Sequence, residues 1–384
     1  MAFTPGSVPT RCLEREILLD PRHSVAILED CGDQYFDDVL WHLDRIDQIE
    51  GELDGRFDRG SAGAGTVVYV MDTGVRADHV EFDDGHLSRV IAGIDSTSDT
   101  TIGASSCTSE SKALAPCYSN LEELASSSHG TAVASIIAGS RTGVAPAASI
   151  VSVRIMNERG LTTTATYMHA LNAIVEHATS SAAFARTAIV NISGWVLERV
   201  GAGSGPAVRF STVERKIREM VGGVDAAGKP DPEGKRFLFV VAANNVDGGC
   251  SSAGIVDRFP ATVGARVEGV ITVGGMTPEN SFWKGGCRGG VEVLAPAQSI
   301  FSATITGRDH YRGRRPNHRS GTSFAAPIIA GVAARLLADR PNLTPQQLET
   351  AIRATPSRIA NPEPLNADGR VGYLRPKTTK VSSR

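Results

Sequence analysis

Five short runs of β-branched and apolar residues, separated by stretches with helical spacing, set the fold class of this 384-residue chain. They are Thr66 to Met71 (TVVYVM), Ser149 to Ile155 (SIVSVRI), Ala188 to Ile192 (AIVNI), Phe237 to Ala242 (FLFVVA) and Val270 to Val273. Continuous apolar runs of this length mark strands buried on both faces. Between them, Gly130 to Ala138, Ala165 to Ala178 and Thr212 to Val221 read as helices, the last two with apolar residues on one face. Ser323 to Leu337 reads as a long helix of small residues, and Thr344 to Ala354 as a last one with Pro345 in its first turn. Strands alternating with helices predict an α/β fold: a doubly wound, mainly parallel sheet flanked by helices.

The formal net charge of -3 leaves no polybasic footprint, so neither nucleic acid nor an anionic membrane is the expected partner. The locally basic stretch Arg308 to Ser320 reads as a solvated surface loop. No run approaches the ~18 apolar residues of a membrane span, and the first residues lack the basic-then-apolar layout of a signal peptide. Six cysteines form no metal-type CxxC pair. They fall into three sequence-neighbour pairs, Cys12–Cys31, Cys107–Cys117 and Cys250–Cys287, which points to disulfides and an oxidising compartment. The two signals conflict: either a signal sequence lies outside this chain, or the thiols stay reduced in the cytoplasm. Ser96 to Ser128 is a polar, Ser/Thr-rich insertion, and Gly222 to Lys235 a turn-rich loop.

Three peptides carry chemistry. Asp72 ends the first apolar run in VYVMDTG, at a strand's carboxyl end, where open parallel sheets bind their ligands. His129 opens a small-residue helix in SSHGTAVASIIAG, and Ser323 opens another in SGTSFAAPIIAG. A carboxylate, an imidazole and a hydroxyl are the groups serine hydrolysis needs. Each alone is weak. DTG also occurs in aspartic proteases, but those need a second carboxylate, which here only a homodimer would supply. Ser323 could serve as a mere helix N-cap, and His79 in ADHVEF is a competing imidazole that lacks the helix-opening glycine. The three in the order Asp, His, Ser point to one triad lineage. A fourth piece, VVAANN, places the amide of Asn245 at another strand's end, where it can donate to an oxyanion.

With these motifs, Trp41 to about Pro356 resembles the subtilisin-like serine endopeptidases, closest to the proteinase K branch. The stretches GVAPAASIVSVRIMNERG and VEVLAPA add to the likeness. The resemblance implies an endopeptidase acting on extended polypeptide bound by strand addition. It puts the triad on Asp72, His129 and Ser323 and the oxyanion amide on Asn245, with Asn244 in the place of a family glycine. Gly160, Ser193, Gly194, Trp195, Ala242, Ala243 and Asn244 fall on its substrate-binding segments. It supports the Cys250–Cys287 pairing and a secreted, monomeric protein, with a propeptide or protein inhibitor as a further partner. No cofactor is needed for the chemistry; structural calcium is compatible with the family, but no clear motif supports it here.

The chain departs from the pattern in three places, one of them the stretch MTPENSFW, shortened where the family has a calcium-site loop. NISGW stands where the family has Ser-Leu-Gly-Gly, so Trp195 either narrows the primary pocket, caps an outer subsite or points into the core. Residues 1–38 resemble only the last third of a propeptide, so they are either a partial propeptide or a native extension, with 39–384 as the catalytic domain. The rival function is a latent or catalytically silent fold of the same family that serves to bind other proteins.

Overall fold

The computed structural model describes residues 40–47, 53, 55–58, 60–83, 87–97, 128–156, 162–180, 185–194, 211–246, 250, 258–312 and 319–354. Their main elements are α1 (Trp41–Asp47), β1 (Val67–Asp72), β2 (Val90–Asp95), α2 (His129–Ala138), β3 (Ser149–Arg154), α3 (Thr164–Thr179), β4 (Thr187–Ile192), α4 (Ser211–Gly222), β5 (Arg236–Ala242), β6 (Val270–Met276), β7 (Val293–Pro296), α5 (Thr322–Asp339) and α6 (Pro345–Arg353). The seven strands form one sheet in the order β2-β3-β1-β4-β5-β6-β7, with every neighbouring pair parallel. The expected fold class is borne out.

Strand periodicity divides the core. Val68, Val70, Ile150, Ile189, Leu238, Val240 and Ile271 face one layer with residues of α1, α2, α5 and α6. Tyr69, Met71, Val151, Val190, Phe237, Phe239 and Val241 face the other, with α3 and α4. Successive side chains leave opposite faces of a strand, so runs apolar at every position feed both layers.

All five predicted strand runs lie in the sheet, but β2 and β7 were not foreseen. Edge strand β2 carries Gly93 and is largely half-exposed, and β7 is four residues ending in Pro296, so neither shows a buried apolar run. The short helix α1 was also unread. One sequence expectation needs correction: α5, at 18 residues, has the length and apolar character of a membrane span. Its position explains both, since 78% of it is buried inside the fold, packed on α2 and on β4, β5, β6 and β7. An apolar helix enclosed this way is the core of the domain.

The turn-rich loop after α4 is as expected, with Val224 bridged to Pro230 and Lys235. Residues 1–38, the insertion from 98 to 127, Gly160, Trp195 and four of the six cysteines lie outside the described residues.

Candidate active site

Asp72 ends β1, the strand at which the order of the sheet reverses. Its carboxylate is fully buried and accepts the Thr73 N–H at 2.7 Å through Oδ1. His129 is the first residue of α2, and its Nδ1 lies 2.9 Å from both carboxylate oxygens of Asp72. The DTG and HGT peptides are laced together twice. Thr73 Oγ1 accepts the Gly130 N–H at 3.0 Å, and Thr131 Oγ1 accepts the Arg76 N–H at 2.9 Å. A Cβ at Gly130 would collide with the Gly74 carbonyl and crowd Asp72, so this approach requires glycine.

Ser323 is the second residue of α5, and Gly321 takes the N-cap position, which sets aside the simple capping role. Its Oγ donates to the Ser193 carbonyl at 3.1 Å. In return Ser193 Oγ donates to the Ser323 carbonyl at 2.9 Å, while Asn191 Nδ2 donates to Ser193 Oγ at 3.0 Å. Pro327 explains why that carbonyl is free: it stands four residues on, where a helix needs an N–H, and proline has none.

Asn245 follows β5. Its Oδ1 accepts both the Thr322 N–H at 3.1 Å and the Thr322 hydroxyl at 3.2 Å. A backbone N–H can only meet the oxygen end of an amide, so this pair fixes the orientation and leaves Nδ2 as the donor. Asn244 sits in the left-handed region at φ 77°, which asparagine tolerates better than other residues with a Cβ. Its carbonyl accepts the Cys287 N–H at 3.0 Å, and Val246 N–H donates to Gly285 O at 2.9 Å. The Cys250–Cys287 disulfide anchors that supporting segment. Ala242 and Ala243 are buried at the end of β5, and a Cβ at Gly194 would collide with the Met156 side chain.

His79 is not part of this cluster. It accepts the Glu81 N–H and contacts the His310 carbonyl at 3.0 Å, a structural role in which burial lowers its pKa. Several site residues were missed from sequence. Thr131 and Thr322 each sit inside a quoted motif but had no assigned task, and Thr73 reads from sequence only as part of the tight exit turn after Asp72. Tyr167 comes from α3, with its hydroxyl buried and unpartnered; burial and then the charge of Asp72 raise its pKa. Among the described residues, no three His, Cys, Asp or Glu side chains gather as metal ligands.

The same chain resembles known proteins over most of its length. The model of the Subtilase family matches residues 63–373. Alkaline serine exoprotease A of Vibrio alginolyticus is 30% identical over 331 residues, covering 84% of this chain and 48% of that protein. The Extracellular serine proteinase of Thermus sp. (strain Rt41A) is 30% identical over 329 residues, covering 84% of this chain and 63% of its own. The crystal structure of a cold adapted subtilisin-like serine proteinase superposes with a TM-score of 0.63 at 27% identity, covering 88% of this chain and 98% of that one. The chain therefore spans about half to two thirds of the length of these two curated relatives. With a family model matching most of its residues, the chain belongs to the subtilase family.

Proposed function

We propose that this protein is a serine endopeptidase that hydrolyses extended polypeptide through Asp72, His129, Ser323 and Asn245. The observation that carries the reading is the two-oxygen hold of Asp72 on His129 Nδ1 at 2.9 Å. It turns Nε2 outward as the proton acceptor and stabilises the imidazolium that forms. His129 takes the proton as Ser323 Oγ attacks the peptide carbonyl, and Asn245 Nδ2 and the Ser323 N–H receive the oxyanion. His129 then protonates the leaving amine, and water releases the acyl group by the reverse sequence.

Substrate lies along the ends of β4 and β5, with Ser193, Gly194, Ala242, Ala243 and Asn244 flanking the residue before the cut bond; Gly160 and Trp195 join them by the family resemblance alone. No cofactor takes part in the chemistry. The disulfide and the extracellular Thermus relative favour action outside the cell.

One observation favours a second reading, a latent protein that binds without cutting: Ser323 Oγ donates to Ser193 rather than to His129. Active sites without substrate often show such loosened bonds. Intact-mass analysis after treatment with a fluorophosphonate, beside Ser323→Ala, decides between them. A single adduct absent from the variant supports the hydrolase. No adduct on folded protein overturns it in favour of the latent reading. The same spectrum reports whether the first ~38 residues, a length set by the family's propeptide boundary, have been removed.

A further inference from the structure

Arg319 is a buried cation beside the site, outside the motif roles described above. It stands four residues before Ser323. Its Nη2 donates to Ser128 Oγ at 2.9 Å, and its guanidinium carbon lies 5.8 Å from the centre of the Phe324 ring. Ser128 immediately precedes His129, and Phe324 immediately follows Ser323. The Phe324 ring in turn packs on the His129 imidazole, with centroids 5.4 Å apart and planes tilted by 48°. One side chain thus touches the neighbour of the base and the neighbour of the nucleophile.

One local preference is broken to make this contact. Ser128 is the N-cap of α2, yet its hydroxyl caps nothing in its own helix and accepts from Arg319 instead. A serine at that position ordinarily bonds an exposed N–H of the first turn. A local rule broken beside the site in this way points to a functional constraint.

We infer that Arg319 is a positioning residue, which clamps the first turns of α2 and α5 together and so holds the His129 imidazole within reach of Ser323 Oγ. Asp72 fixes how the ring is oriented about its Nδ1 bond; the clamp through Ser128 and Phe324 fixes where the ring stands relative to the nucleophile. The inference rests on the hydrolase reading. Its role is in geometry between base and nucleophile, so it acts on turnover and leaves substrate binding alone.

The test is steady-state kinetics on protein titrated for active sites with the fluorophosphonate, comparing wild type, Arg319→Met, Ser128→Ala and the double variant. Arg319→Met is expected to lower kcat by about tenfold or more, since small misplacements of reacting groups are costly, with KM within about twofold. Ser128→Ala should lower kcat in the same direction. The double variant should be no worse than Arg319→Met, because both remove one interaction. An unchanged kcat in Arg319→Met, a loss confined to KM, or additive losses in the double variant would overturn the inference. If Arg319→Met does not fold, Ser128→Ala carries the test, and an unchanged kcat there overturns it. Wild-type protein that takes no adduct sinks the hydrolase reading itself, whereas labelled wild type with an indifferent Arg319 sinks only the clamp.

Discussion

Ser193 and Ser323 are tied together twice, each hydroxyl donating to the other's backbone carbonyl, at 2.9 and 3.1 Å. The pair joins the end of β4 to the first turn of α5, so it fixes where the proposed nucleophile sits on the sheet. It is possible only because Pro327 leaves the Ser323 carbonyl without a helical donor. Ser193→Ala removes the donor to that carbonyl and the acceptor of the Asn191 amide. A buried group left unsatisfied costs about 1–3 kcal/mol, so the urea midpoint should fall with an unchanged slope. Turnover should fall too, since the backbone of the proposed nucleophile loses an anchor. An unaltered midpoint would show that water replaces the lost hydroxyl and that the tie is dispensable.

Asn245 offers a sharper test, because its two ends do different things. The oxygen is held by Thr322, which leaves the nitrogen as the donor for the proposed oxyanion. Asn245→Asp keeps the anchored oxygen and converts the donor into an acceptor. Turnover should fall by about 10²–10³, the worth of such an amide in a subtilisin, with KM little changed because the interaction exists only in the transition state. Equal stability of the variant by thermal unfolding would confirm that the anchor survives. A variant that turns over normally would remove Asn245 from the mechanism.

The parts of this molecule that were readable in sequence are those where one physical rule acts alone. The buried strands declared themselves by uninterrupted apolar runs, and Asp72, His129 and Ser323 by small-residue motifs at element ends. Strand β2 was hidden because an edge strand with a glycine and partial exposure looks like loop. Arg319 and Tyr167 were hidden for a different reason: nothing in the sequence around them shows that the first lies beside the site and the second feels the charge of Asp72. Arg319 sits in a stretch that reads as a solvated basic loop, and Tyr167 looks like an ordinary apolar-face residue of α3. Their placement is a property of the tertiary fold. The membrane-span expectation failed at α5 because burial by a surrounding fold and burial by lipid select the same apolar helix.

His42 should make the fold acid-sensitive. It is fully buried in α1, with Nε2 3.1 Å from the Thr142 carbonyl, and burial lowers its pKa to about 4 against opposing pulls from that carbonyl and the charge of Glu81. Below about pH 6.5 the unfolded imidazole takes a proton that the folded one refuses until about pH 4. Stability is therefore present above 6.5 and lost as pH falls through that window, by about 3 kcal/mol at most. His42→Gln keeps a donor for Thr142 and cannot be protonated. Urea unfolding from pH 4 to 7 should show His42→Gln gaining stability relative to wild type toward the acid end; a constant difference between the two across that range would place the sensitivity elsewhere.

Glu292 should act in the opposite sense. It accepts the Thr272 N–H at 2.8 Å and meets Arg353 at 3.3 Å, while Glu349 on α6 accepts from Gly269 N–H at 2.5 Å and from Arg353 at 2.9 Å. Burial raises the Glu292 pKa from 4.5 to about 7; the Thr272 N–H and the Arg353 charge pull it down, and the charge of Glu349 and a shared hydrogen bond with it add to the rise. The folded state thus holds a proton that the unfolded chain releases above about 4.5. That contribution is complete below 4.5 and lost as pH rises through about 7, again by about 3 kcal/mol at most. Between about 4.5 and 6.5 the two slopes oppose each other, so these groups together leave wild-type stability nearly flat there. Glu292→Gln preserves an acceptor for Thr272 and a donor for Glu349 without titrating. It should expose the His42 slope, stability rising with pH, whereas His42→Gln should expose the Glu292 slope, stability falling with pH. Single variants whose pH profiles tilt the same way would refute the assignment of both groups.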